Sequence, residues 1–181
     1  PDIKAVVVYS PAITDYGGRL EALFSPWAQW IMEKTSMKNK VLHQNREGEK
    51  AAYWSEDYHS NAYESLAVIM YGNMEEKTFQ KIQQPLMLGY YYKNDEEQDK
   101  VVSVPKMLEM YEQLGTPTEL KREKAFPKTG DHVIASSITS KDWEAVLFET
   151  IDFLENVVGI PANPKFQENI EELTEANELM K

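Results

Sequence analysis

QPLMLGYYYKNDEEQDKVVSV, residues 84–104, decides how this sequence is read. It opens with a proline and then runs through apolar and aromatic side chains, 85–92, with no polar alternation. A short continuous run of this kind suits a strand buried on both faces, as in a parallel sheet covered by helices on each side. The acidic loop KNDEEQD follows it, and a helix is expected over 104–114. Ser103 is placed to cap that helix, Pro105 sits in its first turn, and Gly115 is placed to stop it.

The flanking sequence repeats the same alternation. IKAVVVY, residues 3–9, is a second apolar, β-branched run, broken by SPAITDYGG. TELKREKAF, 118–126, is expected to form a third strand, and its lysines suit a sheet edge that must resist pairing with other chains. The strongest helical pattern covers 141–158, with Ser140 as cap and Asp142 and Glu144 at the positive end of the dipole. Trp143, Leu147, Ile151, Leu154 and Val158 are expected to line its buried face, and Gly159 and Pro161 to end it. Residues 19–80 read as helices and loops. RLEALFSPWAQWIMEK is aromatic-rich, and Tyr63, Leu66, Ile69 and Met70 fall at helical spacing. KTSMKNKVLHQNREGEK reads as a polar loop. Strands alternating with helices predict an α/β fold with a parallel sheet of about three strands.

Composition narrows the function classes. The chain has 181 residues, enough for one domain with a real core. Lys and Arg number 19 against 30 Asp and Glu, a net charge of −11. That balance argues against nucleic acid as a partner, which needs a basic face, and against docking on anionic lipid. No apolar run approaches the roughly 20 residues of a membrane-spanning helix. There is no cysteine, which removes disulfides and thiolate chemistry and leaves the compartment open. The opening PDIKAVVVYSP has neither a starting methionine nor a signal peptide, so the chain is expected to be a fragment or a processed product.

In a parallel sheet, functional groups sit on loops beyond the carboxyl ends of the strands. Two such loops stand out, KNDEEQDKVVS with Asp99 and PKTGDHVIASS with His132. A histidine works as a general base near neutral pH, and a carboxylate on one ring nitrogen fixes its tautomer and stabilises the imidazolium. Asp95, Glu96 and Glu97 are rivals to Asp99, whereas Asp131 adjoins the histidine, and neighbouring side chains usually diverge. The bland alternative for His132 is a loop histidine bonded to backbone, and for Asp99 a solvated carboxylate near a helix start. His43 and His59 lie outside these loops, and Asp57 with His59 is too few ligands for a metal site. YGGR, 16–19, lacks the lysine of a phosphate loop.

Residues 84–104, then FPKTGDHVIASS and AVLFETIDFLENV, resemble the C-terminal half of an α/β-hydrolase, with IKAVVVY at an earlier strand. In that family the triad runs nucleophile, acid, histidine. The resemblance implies a serine hydrolase acting on carboxylic esters or similar acyl substrates, with Asp99 as the acid, His132 as the base and no cofactor. It also implies that residues 1–160 are part of the hydrolase domain, that the insert at about 11–80 is a helical lid, and that 161–181 is an acidic tail. Phe24, Trp27 and Trp30, with Met32, would line an apolar substrate pocket or pack within the lid. No G-x-S-x-G elbow occurs, and Ser10 in VYSPA lacks the flanking glycines. The nucleophile and oxyanion donors are therefore expected on a missing N-terminal half, and the isolated chain is expected to be inactive. The strand at 3–9 would then have a bare edge, expected to pair with that half or with another copy of the chain. The alternative is a non-catalytic binding or structural module of the same fold.

Overall fold

The computed structural model describes residues 3–18, 40–161 and 163, with positions 20, 21, 25, 27, 30, 31 and 34. Its centre is β4 (Leu86–Tyr90), whose five residues are all buried. Parallel strands flank it on both sides, β1 (Val6–Tyr9) and β5 (Lys121–Ala125), in the order β1-β4-β5. The register pairs Val6 with Leu86 and Tyr9 with Gly89, and Leu86 with Lys121 and Tyr90 with Ala125. This is the parallel α/β sheet that the strand pattern predicts.

The lack of alternation in β4 has a direct cause, since both of its faces are covered. Leu86, Leu88 and Tyr90 pack with Met107 and Met110 of α4 (Val104–Glu112), and with Phe79, Ile13 and Leu114. Met87 packs on the other face with Phe126, Ile134, and Val146 and Phe153 of α5 (Trp143–Asn156). Fully burying a side chain of this size stabilises by roughly 1.5–3 kcal/mol, so these two layers hold the sheet.

β5 lies at an edge and uses its alternation differently. Arg122 reaches Glu149 at 3.2 Å and also Asp152, and Lys124 reaches Glu149 at 3.3 Å, all on α5. Lys121 points the other way, 4.8 Å over the Tyr111 ring of α4, and Glu123 accepts a bond from the Tyr90 hydroxyl. Period two thus sends alternate charged residues to opposite helix layers. A lysine-rich strand can therefore belong to the sheet and still present a charged edge.

Several local expectations are corrected. α5 buries Val146 and Phe153; of the expected row, Leu154 and Val158 pack beside them, while Trp143, Leu147 and Ile151 stay half-buried. The helix is apolar on several sides, so its sequence leaves the face undetermined. Ser103 precedes α4 but makes no side-chain cap bond; its amide donates to the Thr14 carbonyl at 2.9 Å. Gly115 comes after the end of α4, and its role is close approach. A Cβ there would stand 2.1 Å from the Gln80 carbonyl oxygen.

The insert is not purely helical. It contains α1 (Glu49–Tyr53), α2 (Asn61–Asn73) and α3 (Glu76–Phe79) among its described residues. It also holds β2 (Val41–His43), where a polar loop is expected, paired antiparallel with β3 (Asp57–His59) of the following segment. No helix among the described residues is long and apolar enough to cross a membrane. Apart from positions 161 and 163, the acidic tail at 161–181 lies outside the described residues.

Candidate active site

The three parallel strands end on one side, and the chain leaves each of them differently. After β4 the loop folds back on itself. Tyr92 bridges to Gln98, the Lys93 amide donates to the Glu97 carbonyl at 2.9 Å, and Asn94 Oδ1 accepts from the Glu97 amide at 2.8 Å. These turns consume two of the rival carboxylates. Asp95 accepts from the Tyr92 hydroxyl at 2.9 Å, and Glu97 pairs with Lys93 at 2.6 Å. The loop delivers Asp99 back to the sheet end, its amide on the Tyr91 carbonyl at 3.0 Å.

Asp99 is 1% exposed. A buried carboxylate is costly unless its lone pairs are satisfied, and here both oxygens are used. Oδ1 accepts from the amides of Val101 at 2.9 Å and Val102 at 3.1 Å, and Oδ2 meets His132 Nδ1 at 2.7 Å. Burial pushes the Asp99 carboxyl up, but the His132 bond and the Val102 and Val101 amides together outweigh it and hold it below the ordinary value. The group is therefore ionised at neutral pH.

The loop after β5 brings in the histidine. Thr129 is fully buried and donates to the Phe126 carbonyl at 3.0 Å; Gly130 then turns the chain with φ +72°, a left-handed conformation that suits glycine. Asp131, next to the histidine, diverges from it. One carboxylate oxygen accepts from the Val133 amide at 3.0 Å and the other pairs with Lys50 of α1 at 2.8 Å. Two residues past His132, Ile134 is fully buried against β4. Gly89 makes room for it. A Cβ at Gly89 would lie 3.1 Å from Phe126 and from Tyr9, and 3.4 Å from Ile134. The histidine loop is thus seated on the same strand that leads to Asp99.

His132 lines a crevice of about 670 Å³. It is lined by Tyr91, Gln98, Lys100 and Val101 from the loop after β4 and by Gln44, Arg46, Lys50 and Trp54 from the insert. His132 Nε2 has no hydrogen-bond partner among the described residues, so one ring nitrogen is held and the other is open to a ligand. Such a ring can accept a proton at Nε2 while the carboxylate at Nδ1 stabilises the resulting charge.

The other candidate residues are dispersed. Trp27 and Trp30 are 66% and 60% exposed and do not line this crevice. Phe24 and Met32 lie outside the described residues. Ser10, at the end of β1, is buried, has φ 44°, and its Oγ lacks a hydrogen-bond partner among the described residues; it does not line the crevice either. His59 accepts from the Asn61 amide at 3.3 Å, and Asp57 bonds His43 instead. No cluster of three metal-ligating side chains occurs among the described residues. Sequence reasoning misses the insert wall, Gln44 to Trp54, because nothing in a polar segment marks which residues will turn toward a distant loop.

No family model matches the sequence, and no curated protein matches it. Solved structures share its fold. It is similar to a soluble variant of monoglyceride lipase from Saccharomyces cerevisiae in complex with a substrate analog, at 12% identity and a TM-score of 0.53. The match covers 82% of this chain and 54% of that one. It is also similar to the Paleococcus ferrophilus monoacylglycerol lipase, at 16% identity and a TM-score of 0.54, over 87% of this chain and 59% of the other. The chain thus spans little more than half the length of either protein. Its three-stranded parallel sheet with helices on both faces is a partial α/β-hydrolase fold.

Proposed function

We propose that this chain is part of an α/β-hydrolase-type serine hydrolase acting on carboxylic esters or similar acyl compounds, to which it supplies the acid, the base and a lid. The observation that carries this reading is the Asp99–His132 pair. It joins a fully buried carboxylate and a ring whose other nitrogen is open, at the end of the sheet that faces a crevice. In the reaction, a serine from outside these 181 residues attacks the ester carbonyl while His132 Nε2 takes its proton. The tetrahedral species collapses, and the leaving alkoxide departs as the alcohol with that proton. Water then adds to the acyl-serine, gives its proton to Nε2, and the acid leaves as the serine oxygen recovers the proton. Asp99 keeps the ring oriented and stabilises the imidazolium in both halves. No metal or organic cofactor is required.

The insert, about 11–80, serves as the lid. The crevice wall from Gln44 to Trp54 supports that role, as does the Lys50–Asp131 ion pair that ties the insert to the histidine loop. Residues 1–160 then act as one hydrolase portion, with 161–181 as an appended acidic tail. The strand β1 has β4 as its only ladder partner among the described residues, and Val6, Val7 and Val8 are half-buried. Its free edge is where the serine-bearing part, or a second copy of this chain, pairs.

Two measurements test this. The isolated 181-residue chain should not turn over a short p-nitrophenyl ester, because nucleophile and oxyanion donors are elsewhere. Turnover abolished by Ser10→Ala would place the nucleophile here instead. Sedimentation equilibrium should show self-association at micromolar concentration when no second polypeptide is present. A cooperative, strictly monomeric chain would contradict the bare-edge reading.

A further inference from the structure

The insert turns two cations toward the crevice of His132, and they are in different situations. Lys50 is paired with Asp131 at 2.8 Å. Arg46 is half-buried, and its guanidinium has no carboxylate partner among the described residues. Its Nε donates to the Ser55 carbonyl at 3.0 Å and one terminal nitrogen donates to Gln44 Oε1 at 3.2 Å. The nearby Glu56 carboxylate is met by the backbone amide of Arg46, at 3.3 Å, and not by the side chain. The fork is therefore held by neutral acceptors, with donors left over. In a chain with 30 carboxylates against 19 lysines and arginines, a fixed, half-buried arginine left without one is unusual.

The other charges of the crevice are mostly spent. Asp99 is bonded to His132, Asp131 to Lys50, and Glu97 to Lys93. The charges with no oppositely charged partner among the described residues are Arg46, the exposed Lys100 and the exposed Glu96. A planar guanidinium with spare donors binds a carboxylate through two parallel bonds, and a partly desolvated site strengthens them. A phosphate dianion fits less well, because one arginine offers too few donors and Glu96, Glu97 and Asp131 repel two charges more than one.

We propose that the crevice takes an acyl compound bearing a second, singly negative carboxylate, and that Arg46 is the specificity-determining residue that holds that carboxylate while the ester group lies at His132. The proposal names the substrate class of the hydrolase reading above, but carboxylate binding is measured without turnover, so either can fail alone.

The probe is monomethyl glutarate, a half-ester with one carboxylate, titrated into the 181-residue chain and followed by NMR at the His132 ring and the Arg46 Nε–H. Saturable shifts at both groups are expected, with dimethyl glutarate binding at least tenfold more weakly. Arg46→Gln should weaken the half-ester at least tenfold, and Arg46→Lys, which keeps the charge but loses the fork, by less. The amide signals of Val41 and His59 report whether the hairpin survives each change. Unshifted ring signals, equal binding by the neutral diester, or undiminished affinity in a folded Arg46→Gln chain would overturn the proposal. Tighter binding of inorganic phosphate than of the half-ester through Arg46 would overturn the choice of carboxylate.

Discussion

Among the described residues are two histidine–aspartate pairs of almost the same length. His132 Nδ1 lies 2.7 Å from Asp99 at the sheet end, and His43 Nδ1 lies 2.8 Å from Asp57 in the insert hairpin. Everything around them differs. Asp99 has a side-chain exposure of 0% and His132 29%, against 66% for Asp57 and 56% for His43. Asp99 takes two further bonds from backbone amides, whereas His43 uses its second nitrogen on Asn45 Oδ1 at 2.9 Å. Both ring nitrogens of His43 are thus occupied, and one of His132 is open. A short bond between an imidazole and a carboxylate is therefore not what marks a site. Burial of the carboxylate, its independent anchoring and a free second nitrogen are the distinguishing features.

The comparison breaks most visibly in activity. On the proposed reading, with the serine-bearing part present, Asp99→Asn should lower ester turnover by about 10³–10⁴-fold, because the amide favours the wrong tautomer. Asp57→Asn should leave turnover unchanged. Equal losses at both positions, read from kcat/KM, would erase the distinction between the pairs.

Stability gives the next contrast. Asp99→Ala strands two amides and a ring nitrogen in a buried place, at a cost of about 3 kcal/mol in urea unfolding. Asp57→Ala should be indistinguishable from wild type, since exposed pairs contribute little. A smaller effect comes from two glycines, one in each region. Gly89→Ala crowds Phe126, Tyr9 and Ile134 beneath the histidine loop and should cost about 1–3 kcal/mol. A Cβ added at Gly72, near the end of α2, would meet nothing within 4 Å, and Gly72→Ala should stabilise by about 0.5–1 kcal/mol. A midpoint that rises for Gly89→Ala would show that the seat of Ile134 is looser than its contacts imply.

The pairs also separate in pH. The Asp99 carboxyl is held below its unfolded value of about 3.9, so its contribution is complete above that value and is lost as pH falls through the lower folded one. Asp99→Asn should flatten the acid limb of the stability curve. His43 is held above its ordinary value, chiefly by the bond to Asp57 and then by Asn45. Its small contribution is present below about pH 6.5 and lost as pH rises through the raised value. Its NMR titration midpoint should fall in Asp57→Asn, and an unmoved midpoint would mean that the exposed bond does not persist in solution.

What can be read from sequence follows from how local each cause is. The strands at 86–90 and 6–9 and the helices at 104–112 and 143–156 are legible because two-sided burial and helical spacing write themselves into consecutive residues. Asp99 and His132 are legible as a candidate pair because parallel strands put their following loops at one end. The hairpin at 41–43 and 57–59 is not, since three-residue strands with a single half-buried position each give no pattern to detect. Gly115 reads in sequence as a helix stop, and its actual cause, contact with the Gln80 carbonyl, is nonlocal. The hidden half of the crevice wall, Arg46 and Lys50, is invisible for the same reason: which polar residues face a distant histidine is settled only by tertiary packing.

A serine-directed fluorophosphonate, followed by peptide mapping and applied to this chain joined to the part proposed to carry the nucleophile, tests whether Asp99 and His132 serve a serine outside these 181 residues. Covalent labelling is expected at one serine beyond this chain, with its loss in His132→Ala. Labelling within the chain, labelling undiminished in His132→Ala, or no labelling at all would contradict that reading.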